Sequence, residues 1–111
     1  MIDRQKIYAK YNRHCAYCGK EIFLTDMQVD HIIPKRNGGT DNICNLNPSC
    51  RRCNHYKRAS NIETFRKMIS EIPQKLDRDS YIYKVGEDYG FYTPKINPVT
   101  FYFENHESVS G

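Results

Sequence analysis

The sequence predicts an α+β fold, in which a small metal-stapled core is followed by a helix and a short β-rich C-terminal extension. Three observations carry this. Two C-x₂-C pairs are separated by 31 residues, a capped amphipathic segment follows them, and residues 81–104 alternate Tyr, Phe, Val and Ile runs with Gly and Pro. At 111 residues the chain has one domain's length, and a core that small is marginal without a staple. We assign residues 1–72 to the stapled core and residues 73–111 to an extension packed on the same domain, ending in a loose tail.

The elements follow in order. In "RQKIYAKYN", Ile7, Tyr8 and Tyr11 stand at helical spacing, giving a short helix that ends near Asn12. "CAYCGK" turns sharply, with Gly19 supplying the backbone freedom that a metal knuckle needs. "MQVDHII" is β-prone around Val29 and stops at Pro34, so the strand delivers Asp30 and His31 at its far end. "KRNGGTDN" has the composition of an exposed irregular turn, with Lys35 and Arg36 projecting to solvent or to a ligand.

Ser49 is placed to cap a short helix through "CRRCNHYK", on which Cys50, Cys53 and Asn54 share one face. In "SNIETFRKMISEI", Ser60 and Glu63 form an S-x-x-E capping box, Ile62, Phe65, Met68, Ile69 and Ile72 make an apolar stripe, and Pro73 is expected to stop the helix. From Tyr81 onward two or three small strands are expected, and "HESVSG" reads as the loose tail.

Charge is unevenly distributed. Residues 1–58 hold eleven Lys/Arg against five Asp/Glu, whereas residues 59–111 hold six against eight. The basic front half suits a polyanionic partner. No apolar run approaches the ~20 residues that span a bilayer, and the N-terminus lacks a secretion signal's apolar stretch, so no membrane partner and a cytoplasmic location are expected. In a reducing compartment, five cysteines with two C-x₂-C pairs read as metal ligands rather than disulfides.

Two-residue spacing lets both sulfurs of a pair reach one ion. Cys15, Cys18, Cys50 and Cys53 thus fill the four positions of a closed, structural Zn²⁺ site that does no chemistry itself. Cys44 stands outside the pairs and is expected to be a small buried residue, with an exchange of roles with Cys50 left open by spacing alone. His14 and His106 are given no role.

The stretches "CAYCGK", "VDHIIPKRNGGTDN", "CNLNPSC" and "CRRCNHYK", in this order and spacing, resemble the HNH endonucleases, whose ββα-metal core is often held by two C-x₂-C pairs. The resemblance covers residues 13–58, and a helix with a β extension after the core looks like that of small phage-type members. It implies a metal-dependent endonuclease acting on DNA, with double-stranded substrate and nicking of one strand at a time as expectations, leaving 5′-phosphate and 3′-hydroxyl ends. His31 is then the general base and Asn45 the residue that orients its ring, while Asp30 binds a catalytic divalent ion, Mg²⁺ or Mn²⁺.

The family's last histidine position, directly after the final cysteine, is Asn54 here, and His55 follows. Asn54 is the favoured second metal ligand because an amide oxygen suits a hard cation, with His55 as the alternative. Lys35, Arg36, Arg51, Arg52, Lys57 and Arg58 are expected to hold the DNA backbone. The competing function is a non-catalytic zinc module that binds nucleic acid or protein. The oligomeric state is not readable from the chain.

Overall fold

A short antiparallel hairpin leading into a helix stands at the centre of the fold. The computed structural model describes residues 2–95 and 97–109. The chain divides into two compact units, one of Met1–Ile62 with Thr100–Gly111 and one of Glu63–Val99. The bounds of these units fall at residues 62/63 and 99/100. The α+β class and the cysteine-clustered core hold.

In the first unit, α1 (Arg4–Ala9) starts on the Asp3 side chain, which accepts from the Gln5 and Lys6 amides. Asn12 and Arg13 then adopt left-handed φ values of 51° and 67°, reversing the chain into the first cysteine pair. Strand β1 (Gln28–His31) pairs antiparallel with β2 (Leu46–Ser49), with Asp30 opposite Asn47 and His31 opposite Leu46. Pro48 sits in β2 opposite Val29, at a position whose carbonyl accepts from the Ala16 amide at 2.8 Å outside the β1 ladder, so the N–H it lacks is one the pairing with β1 does not use.

Helix α2 (Arg51–Lys57) is capped by Cys50, whose Sγ accepts from the Cys53 amide at 3.3 Å. This corrects the expectation for Ser49, whose hydroxyl donates to the Cys50 carbonyl. Ile7, Tyr11, Tyr17, Met27, Leu46 and Phe101 are buried in this unit. The C-terminal segment returns to complete it. The Tyr102 and Phe103 amides donate to the Tyr17 and Ala16 carbonyls, and the rings of Phe101 and Phe103 stand edge-on to Tyr17 at 5.4 and 5.8 Å. The tail expected to be loose is tied at Val109, whose amide donates to the Lys10 carbonyl at 2.7 Å, while Ser110 and Gly111 lie outside the described residues.

The second unit is helical, and this corrects the β-rich extension expected over residues 73–111. After α3 (Ile62–Ser70), Pro73 lies in the first turn of α4 (Ile72–Asp79) and so helps begin a helix rather than only ending one. Helix α5 (Tyr81–Asp88) starts on Ser80, whose Oγ accepts from the Tyr83 amide, and ends before Gly90 at φ 78°. Arg66 holds Glu63 and donates from Nη1 to the Val99 carbonyl at 2.7 Å. The four-residue α6 (Tyr102–Asn105) belongs to the first unit. Among the described residues the sheet is limited to β1 and β2, so the phage-type likeness drawn from a β extension loses its basis. No helix of the described residues is long and apolar enough to cross a membrane.

Candidate active site and metal centre

The turn after α1 and the start of α2 bring Cys15, Cys18, Cys50 and Cys53 together. Their sulfurs lie within 4.8 Å of one another, and Cys18 Sγ is 3.9 Å from Cys50 Sγ. A tetrahedral ion with Zn–S bonds of ~2.3 Å separates its sulfurs by ~3.8 Å, so the four donors fit a structural Zn²⁺. Hydrogen bonds from Cys18 and then Cys53 hold the Cys15 thiol far below its ordinary value, and the bond to Cys15 pushes Cys18 and Cys53 upward, as expected of sulfurs packed this closely. Cys44 is exposed and outside the cluster, contrary to its expected burial.

Next to this staple runs a chain of buried polar groups. Lys10 Nζ donates to the Ile43 and Leu46 carbonyls and to Asn47 Oδ1, Asn47 donates to the Tyr17 hydroxyl, and Tyr17 donates to Asp30 Oδ2. Lys57 closes the chain from α2, with Nζ 3.0 Å from Asp30 Oδ2 and further bonds to the His31 and Ser60 carbonyls. Burial raises the Asp30 carboxyl above the usual value, opposed by the Tyr17 hydrogen bond and the Lys57 charge. Burial likewise raises the Tyr17 phenol, with Asp30 adding to it.

Lys57 therefore differs from its expected place on a DNA-facing surface. Its side chain is 0% exposed, because the helical period carries it three residues on from Asn54 to the inner side of α2, where Asp30 compensates its charge.

His31 ends β1 half-buried, and Asp30, His31, Pro34, Lys35, Asn54 and Arg58 line one cleft of about 260 Å³. Among the described residues the His31 ring has one hydrogen-bond partner, Asp41 Oδ1, 2.7 Å from Nε2. Lys35 Nζ lies 3.4 Å from the same oxygen. The His31 hydrogen bond, with Lys35 beside it, holds Asp41 below the usual carboxylate range.

Asp41 was not anticipated. The sequence offers it as one more polar residue of a turn, and only the demand of an imidazole for an orienting partner points to it. The orienting role expected of Asn45 is not made by contact with the ring. Asn45 Oδ1 accepts from the Ile33 amide, and Nδ2 donates to the Ile33 and Thr40 carbonyls, clamping the two ends of the intervening loop.

Adjacent positions on α2 separate the disputed ligands. Asn54 lines the His31 cleft, whereas His55 lines another groove of about 620 Å³ with Lys20, Phe23, Arg51 and Arg52. One helical residue turns a side chain by about 100°. Of the expected backbone contacts, Lys35 and Arg58 line the cleft, Arg36 donates to the Ala59 carbonyl beside it, and Arg51 and Arg52 face the other groove. Arg58 leaves α2 with φ 55° and ψ −134°, a backbone state that disfavours side chains. The cleft thus joins an imidazole, a carboxylate, an amide oxygen and two cations, a set suited to a polyanion and a hard metal ion.

Comparison with known proteins agrees with this geometry. Residues 15–60 match the family model described as HNH endonuclease. The chain is also 38% identical over 55 residues to the CRISPR-associated endonuclease Cas9 of Corynebacterium diphtheriae, an alignment that covers 49% of this chain and 5% of that protein. No solved structure matches the chain.

Proposed function

We propose, from the match of residues 15–60 to the HNH endonuclease family, that this chain is a metal-dependent endonuclease that hydrolyses phosphodiester bonds in DNA, double-stranded and cut one strand at a time. The observation that carries the reading is the shared cleft of His31, Asp30 and Asn54. His31 takes the proton of a water that attacks phosphorus. As the new P–O bond forms, the bond to the 3′ oxygen breaks and that oxygen takes a proton from solvent. The products carry 5′-phosphate and 3′-hydroxyl ends.

Asp30 and Asn54 would hold the catalytic ion through oxygen atoms, a donor set that suits Mg²⁺ or Mn²⁺. When bound, the ion supplies positive charge beside the phosphate and the departing oxygen. Tyr17 and Lys57 hold Asp30 in place, through hydrogen bonds to Oδ2 and Oδ1 respectively. Asn45 keeps the loop after His31 closed, while Lys35, Arg36 and Arg58 attract the flanking phosphates, with Arg51 and Arg52 extending the basic surface.

The test is cleavage of supercoiled plasmid by the purified chain with Mg²⁺ or Mn²⁺. Nicked circles should form, and His31→Ala should stop them while retaining one zinc per chain. Asn54→Ala should raise the Mg²⁺ requirement about tenfold or more and His55→Ala far less. Equal cleavage by His31→Ala removes that residue from the mechanism, and the reverse ranking moves the metal to the His55 groove.

A further inference from the structure

The loop between His31 and Asn45 is held far more closely than an exposed turn requires. It leaves β1 through Ile33 and Pro34, makes a short 3₁₀ turn over Lys35–Asn37, and comes back against its own start. At Gly39 an added Cβ would lie 1.7 Å from the Ile33 carbonyl oxygen, so glycine is needed for the return. The Asn45 amide then fixes the Thr40 carbonyl at 2.8 Å, and the Thr40 hydroxyl accepts from the Asn42 amide. The residues on either side of Asp41 are thus both anchored, and Asp41 meets the His31 ring at 2.7 Å.

We propose that Asp41 is a positioning residue for His31, fixing which ring nitrogen is free to accept a proton. This rests on the nuclease reading above for its consequence and on the loop geometry for its cause. A carboxylate can only accept a hydrogen bond, so the ring nitrogen facing it, Nε2, carries the hydrogen. In a neutral imidazole the other nitrogen is then bare. Nδ1 is the atom of His31 that receives the proton of the attacking water, and the imidazolium formed sits against the Asp41 charge.

Lys35, 3.4 Å from the same carboxylate oxygen, gives Asp41 a second, cationic contact. Asn45 acts on His31 through this route, one residue removed, by holding Thr40. The arrangement assigns a function to "TDN", which as sequence is only turn-forming.

The experiment pairs a spectroscopic and a kinetic readout on the full zinc-loaded chain. With ¹⁵N-labelled histidine at alkaline pH, where the rings are neutral, wild-type His31 should show a resolved Nε2–H proton and a bare Nδ1. Asp41→Ala should lose that resolved proton and lower kcat for plasmid nicking about tenfold to a hundredfold, with KM within about twofold and zinc content unchanged. Asp41→Asn, whose amide oxygen still accepts, should restore the proton and most of kcat.

An Nδ1–H tautomer in the wild type, an unaltered His31 signal in Asp41→Ala, or undiminished cleavage by that variant each overturns the proposal. The two readings fail separately. If the wild type cleaves no DNA and the Asp41→Ala spectrum changes as expected, the nuclease reading falls and the positioning of His31 stands.

Discussion

Lys57 Nζ lies 3.0 Å from Asp30 Oδ2, and the two side chains are 0% and 4% exposed. Two opposite charges this far from water are held by each other and by Tyr17, and removing one leaves the other buried without compensation. Lys57→Met should cost about 3–5 kcal/mol of stability. In a chain of this size that corresponds to a fall in Tm of roughly 10 °C or more. Thermal melting checks it. The same variant should leave the salt dependence of DNA binding unchanged, whereas Lys35→Ala should flatten it.

The four-sulfur cluster joins the turn after α1 to the cap of α2. Cys50 serves twice, as a member of the four-sulfur cluster and as the acceptor for the Cys53 amide. Cys50→Ser should lose the metal and unfold the first unit, because a structural zinc contributes on the order of 10 kcal/mol in small domains. Metal analysis with circular dichroism reads both, and a strong chelator added to the wild type should have the same effect.

Arg58 holds a left-handed φ of 55° on the wall of the His31 cleft. Glycine adopts such a conformation without steric cost, so Arg58→Gly should keep or slightly raise Tm. It also removes a cation that faces the proposed path of the DNA backbone. Binding should weaken, and the slope of log affinity against log salt should fall by about one. A titration of fluorescent duplex at several salt concentrations separates the two effects.

The Asp41 carboxyl is held below its usual value, chiefly by the His31 hydrogen bond. A folded-state value below the unfolded one means that this contact favours the folded chain above about pH 4 and is lost as pH falls through the lowered value. Carboxyl ¹³C titration should give Asp41 a midpoint below ~3.9. His31→Ala should bring the midpoint back toward that figure.

The parts of the fold that were legible in the sequence are those specified by neighbours in the chain. Paired cysteines, the β-prone run ending in Asp30 and His31, and the apolar stripe of α3 each announce themselves within a few residues. What was missed depends on distant partners. Strand β2 contains Pro48 and forms only against β1, so local propensity does not reveal it. Lys57 looks like one cation in a basic run until Asp30 is placed beneath it. The tyrosines of α5 alternate like a strand, and the Ser80 cap and the Gly90 stop were the signals that should have outweighed them. For the candidate site, residue types were readable and their grouping was not. Asn54 and His55 are neighbours in sequence, yet they line different hollows.

The bond from Arg66 to the Val99 carbonyl gives the segment between them a common root. A loop tied at its own base keeps its two ends together while its interior opens. Residues 63–99 should therefore resist fraying from either end and, when they open, do so as one piece.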